Sequence, residues 1–115
     1  MDYVTLRKEV AEEGLLNRQY GYYALKMIIT FGLLALSYLL LATIDSFALQ
    51  VFNAAFLAFA IVQTGYIMHD AIHMQIFSGK WKNDFAGIVT GSLTLNVSSS
   101  WADAHLLHHK APNHA

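Results

Sequence analysis

Five of the six histidines in this 115-residue chain fall in two short runs, His69-Asp70-Ala71-Ile72-His73 and His105-Leu106-Leu107-His108-His109. Histidines four apart on a helix lie one turn above each other on the same face, so His69 and His73 can aim two imidazoles at one ion. Tyr66 falls on the same stripe, on its deeper side. In the second run His105 can pair with His108 or with His109, which point about 100° apart on a regular helix. That geometry serves two ions, or one ion plus a supporting group. Pro112 disturbs the turn before it, so the second run belongs near a helix end or in an irregular segment. Imidazole suits zinc, copper, iron and nickel alike, and ligand type alone does not name the metal. With no cysteine in the chain, thiolate sites, disulfides and a cysteine nucleophile are excluded.

The elements that must position these groups are apolar. Hydrophobic residues make up 56% of the chain and charged residues 13%, whereas soluble domains carry about a quarter charged residues. Much of the surface must therefore face something other than water. A net charge of −1 gives no reason to expect nucleic acid as a partner. No charge occurs from Met27 to Ile44 or from Ser46 to Met68, and only Asp45 separates the two stretches. A bilayer core is crossed by about 20 apolar residues in a helix, and in lipid the backbone must satisfy itself within the segment. The sequence thus predicts transmembrane helices over 22–44 and 46–68. Asp45 and Ser46 turn the chain between them and offer capping oxygens to the second helix.

Arg7, Lys8, Arg18 and Lys26 precede this hairpin, Lys80, Lys82 and Lys110 follow it, and no cation lies in its turn. The positive-inside rule then puts both termini and both histidine runs on the cytoplasmic side. Tyr20, Tyr22 and Tyr23 stand where the chain enters the first span, at headgroup depth. Residues 1–21 form a cytoplasmic arm in which Tyr3, Leu6 and Val10 recur at helical spacing and Gly14 marks a stop. Residues 69–115 form a cytoplasmic or interfacial metal-binding region. Within it the uncharged stretch 85–100 is too short to span and reads as an interfacial or re-entrant segment. The expected fold class is an all-α integral membrane protein, a two-helix transmembrane hairpin followed by cytoplasmic interfacial helices that carry the histidines. Two runs on one membrane face favour metal ligation over two solvated patches.

His69-Asp70-x-x-His73 is also similar to the zinc protease pattern H-E-x-x-H, but aspartate reaches less far towards a metal-bound water and the pattern leaves the second run unexplained. A closer resemblance covers essentially the whole chain. Gly65-Tyr66-Ile67-Met68-His69-Asp70-Ala71-Ile72-His73-Met74-Gln75 resembles the first histidine box of membrane-bound fatty acid desaturases. Trp101-Ala102-Asp103-Ala104-His105-Leu106-Leu107-His108-His109-Lys110-Ala111-Pro112-Asn113 resembles their second, including the tryptophan four residues ahead and the Pro-Asn that follows. The resemblance implies iron, two ions in the complete family site, with His69, His73, His105, His108 and His109 as ligands. It implies that Asp70 and Asn113 orient imidazoles or water. His114 lies outside the motif and reads as a surface residue.

What the family does becomes the functional expectation: an oxidoreductase that uses dioxygen to introduce a double bond into an acyl chain carried by coenzyme A or by a membrane lipid. Electrons would come from a separate donor, ferredoxin-like or a haem protein. The family carries a third histidine box, and this sequence ends at Ala115, so the chain is expected to be incomplete and inactive alone. Two alternatives stand beside this reading. One is a related di-iron membrane hydroxylase or ketolase; the other is a non-catalytic, metal-binding membrane fragment.

Overall fold

The computed structural model describes residues 2–112, and among these it contains five α-helices and no strand. Helix α1 spans Tyr3–Glu12; the Asp2 carboxylate accepts a hydrogen bond from the Thr5 amide at 2.8 Å and starts it. Glu12 and Glu13 oppose the helix dipole, yet the helix holds to Glu12, and Gly14 at φ 72° ends it. An exposed Lys8–Glu12 pair lies on its surface.

Helices α2 (Tyr20–Thr43) and α3 (Phe47–Ile72) form an antiparallel hairpin. At about 1.5 Å per residue they are about 36 and 39 Å long, against about 30 Å for a hydrocarbon core. Both are long and apolar enough to cross a membrane, and most of each faces outward rather than into the protein. Leu25, Ile28, Ile29, Leu39, Phe52 and Val62 are among the apolar side chains left exposed. A polar cross-link ties the two helices in the part nearer their turn. Ser37 donates to Asn53 Oδ1 at 2.9 Å, and Asn53 Nδ2 donates to the Ser37 carbonyl and to Gln50 Oε1.

The helices run over 20–43 and 47–72, and the first histidine run is the last turn of α3, so His69 and His73 share one helical stripe as their spacing implies. Nothing in that run breaks a helix, and α3 continues until Met74 adopts φ 59°. The turn differs from the sequence expectation: Asp45 and Ser46 do not cap α3, and Ser46 occupies the cap position without a side-chain hydrogen bond. Gln50 reaches back instead, its amide donating to the carbonyls of Leu40, Leu41 and Ile44, the last at 2.6 Å. The longer side chain satisfies the orphan carbonyls at the end of α2, where short oxygens in the turn would have served amides at the start of α3.

Helix α4 spans Lys80–Leu93 and packs on α3; α5 spans Ser98–Lys110. The uncharged stretch 85–100 is therefore two elements, the second half of α4 and the start of α5, separated by a turn at Thr94–Val97. Asn83, fully buried, fixes the loop ahead of α4: it accepts from the Phe77 amide and donates to the carbonyls of Phe77 and Gly79. The small core lies where these pieces meet, with Ile67, Ala71, Ile76 and Ala86 packed against Tyr23, Met27, Phe31 and Phe77. Helix α5 contributes no buried residue to it. At the α4–α5 turn, a Cβ on Gly91 would lie 2.7 Å from the Asn96 carbonyl oxygen and 3.4 Å from Met68 Sδ. Only glycine allows that close approach.

Candidate metal centre

The last turn of α3 and the second half of α5 face each other through imidazoles. His69, His73, His105 and His109 each offer one ring nitrogen, and these four atoms lie within 4.8 Å of one another. His73 Nε2 is 3.1 Å from His105 Nε2, which is 3.0 Å from His109 Nε2. Ring centroids within the group are 4.5 Å apart for His69–His73 and for His105–His109, and 4.9 Å for His69–His105 and His73–His109. The fit to a metal is direct. Imidazole nitrogens bind a divalent first-row ion at about 2.0–2.1 Å, so two of them at a right angle stand about 3 Å apart, which is the separation of the His73–His105 and His105–His109 pairs.

The electrostatics favour the ligating form. Burial, followed by the neighbouring imidazoles, holds His73 below the ordinary histidine value of 6.5, and the same causes in the same order lower His105. Both rings are thereby kept neutral, with a bare nitrogen available.

Support comes from three directions. Trp101 stacks on His105 with centroids 4.2 Å apart and planes 17° apart, and meets His69 edge-on. Asp70 Oδ1 lies 3.2 Å from His69 Nδ1, an arrangement that leaves the Nε2 side of that ring for the cluster. The other carboxylate oxygen of Asp70 accepts from Tyr23 OH at 3.2 Å and pairs with Lys26 Nζ at 3.3 Å, both from α2. Lys26 and Asp70 are only 17% and 21% exposed, so water screens the pair little.

The five expected histidine ligands are thus not equivalent. Four converge, whereas His108 points outward, exposed, with its ring 6.2 Å from that of His109. Tyr66, one turn deeper on the same stripe, is exposed. Asn113 and His114 lie outside the described residues. Sequence spacing does not mark Tyr23 or Lys26 as partners of the first histidine run. The one sequence signal for Lys26 is its place: a cation abutting the first apolar stretch, which a hairpin turning at Asp45 brings to the same end as Asp70.

The family model described as fatty acid desaturase matches residues 46–115. The chain is 29% identical over 113 residues to an acyl-lipid (9-3)-desaturase of Physcomitrium patens, covering 97% of this chain and 22% of that protein. It is 30% identical over 113 residues to a Delta(8)-fatty-acid desaturase of Euglena gracilis, covering 97% and 26%. A Delta(8)-fatty-acid desaturase of Helianthus annuus is 32% identical over 114 residues, covering 97% and 25%. The chain spans about a quarter of the length of these relatives. No solved structure matches it.

Proposed function

The chain belongs to the fatty acid desaturase family, and we propose that it supplies the membrane hairpin and the first two histidine boxes of a di-iron fatty acid desaturase. One observation carries the reading: four imidazoles converge at the end of two long apolar helices, their ring nitrogens within 4.8 Å of one another and two pairs of them 3.0 and 3.1 Å apart. His69, His73, His105 and His109 would hold that ion, and the outward-facing His108 would serve a second. Asp70 and Asn113 would orient ligands or water.

When bound, iron would supply activation of dioxygen: two hydrogens leave adjacent methylenes, and with two electrons and two protons from a donor the dioxygen ends as two waters. The chain's own residues set the stage for this. Lys26 and Tyr23 hold Asp70, Asp70 holds His69, and Trp101 holds His105. The substrate is a fatty acyl chain on a membrane lipid or on coenzyme A, in keeping with the acyl-lipid and fatty-acid names of the relatives. The electron donor is a separate ferredoxin-like or haem protein. The hairpin spans the bilayer with both ends and the histidines cytoplasmic, supported by cations outside the hairpin turn and none within it.

A chimera tests this. Residues 1–115 would replace the aligned segment of the Euglena gracilis relative, in a host that lacks its product. A new double bond, read by gas chromatography of the host fatty acids and lost with His73→Ala, is the expected result. An unchanged profile from a chimera present in membranes at the parent's level would sink the reading.

A further inference from the structure

Three helices in this chain end in the same kind of turn. At the ends of α1, α3 and α4 one residue takes a left-handed conformation: Gly14 at φ 72°, Met74 at φ 59° and Leu95 at φ 58°. In each, that residue's amide bonds to the carbonyl three residues back, and the next amide bonds to the carbonyl five residues back. For α3 these are Met74 N to Ala71 O and Gln75 N to Asp70 O, both 2.9 Å. Such turns favour glycine, which alone enters this region freely. Only the first of the three has it.

Met74 differs from Leu95 in what its carbonyl meets. Its carbonyl receives a hydrogen bond from Arg18 Nη1 at 2.6 Å, across 56 positions of sequence. Arg18 lies between α1 and α2, so this is a tether from the arm to the end of α3. The guanidinium is always charged and makes a strong bond to a carbonyl. The residue just before Met74 is His73, whose own amide closes α3 on the His69 carbonyl at 3.0 Å. Whatever sets the Met74 turn also sets where the His73 backbone sits and which way its imidazole leaves the helix.

We propose that Arg18 is a positioning residue for the metal centre: by gripping the Met74 carbonyl it locks the left-handed turn that keeps His73 aimed at His105 and His109. The proposal rests on the metal-centre reading above. It assigns the arm a task in the site although no arm residue joins the cluster.

The probe is cobalt(II) titrated into the full chain in detergent, read by visible absorption, with amide exchange at Met74 and Gln75 measured metal-free. Arg18→Ala should weaken cobalt binding about tenfold, the scale of losses when a group supporting a ligand is removed, and should speed exchange at both amides. Adding Met74→Gly to Arg18→Ala should bring affinity back to within about twofold of the unmutated chain, because glycine holds the turn unaided. Met74→Gly alone should bind normally. A purely structural role for Arg18 would not be rescued by a glycine elsewhere in the chain. If Arg18→Ala binds cobalt as the unmutated chain does, or the double variant binds no better than Arg18→Ala, the proposal is overturned and the metal-centre reading survives. If the unmutated chain binds no cobalt, that reading falls and takes the proposal with it.

Discussion

The indole of Trp101 lies flat against the imidazole of His105, one helical turn apart on α5, with ring centres separated by 4.2 Å. The same indole meets His69 on the opposing helix edge-on, at 6.1 Å. One side chain therefore braces an imidazole from each half of the cluster.

Trp101→Ala should cost cobalt affinity by about threefold to tenfold, since an aromatic contact of this kind contributes about 0.5–1.5 kcal/mol. Trp101→Phe should recover most of the loss. Equilibrium titration of the detergent-solubilised chain decides it, and equal affinities for all three proteins would show that the stacking does not matter to the site.

The second prediction concerns pH. In the metal-free chain, His73 and His105 should titrate below 6.5, the ordinary value, because burial and neighbouring imidazoles disfavour their charged forms. The sign for stability follows. A base whose folded pKa is depressed opposes folding only when protons bind the unfolded form better, so the cost is absent above 6.5 and grows as pH falls from there through the folded value. The contact between α5 and α3 should accordingly weaken on acidification below 6.5. Ring resonances followed by NMR give the midpoints; values at or above 6.5 would contradict the assembled cluster.

His108 and His109 are neighbours in sequence with opposite fates, one outside the cluster and one inside it. Binding of a first cobalt ion should fall more than tenfold in His73→Ala or His109→Ala, in line with the loss of a ligand, and stay unchanged in His108→Ala. In the active chimera all three substitutions should abolish the new double bond, because His108 is needed only when a second ion enters. A His108→Ala chimera with full activity would remove that residue from the ligand set.

Topology is checked by reporters fused at Asp45 and after Ala115. They should report opposite compartments, with the Asp45 fusion on the far side from the histidines. Matching compartments would mean that the two apolar helices do not cross as a pair.

Hydropathy and charge were enough to read α2 and α3, because most of each is a long uncharged run, Met27–Ile44 and Ser46–Met68, with only Asp45 between them. The spacing of Tyr3, Leu6 and Val10 before Gly14 likewise marked α1. The turn that separates α4 from α5 left no such mark, for Leu95 takes a left-handed conformation that sequence rules reserve for glycine or asparagine. Helical phase indicated that His108 and His109 diverge, but not which of them faces α3; that depends on how the turn at Thr94–Val97 aims α5. Arg18, Tyr23 and Lys26 touch partners 44 to 56 positions away. Nothing local in a sequence encodes a contact of that range.

Helix α5 carries two of the four converging histidines yet buries none of its residues, and it meets α3 through those imidazoles and the Trp101 indole. Occupancy and assembly then become one equilibrium. Metal binds only the fraction of molecules in which α5 is seated, and the apparent dissociation constant is the intrinsic one divided by that fraction. Residues far from any ligand acquire leverage over metal affinity through that fraction alone. Gly91 is such a residue: a methyl group there collides with the Asn96 carbonyl at the root of α5, and it would starve the site of metal while leaving every histidine intact.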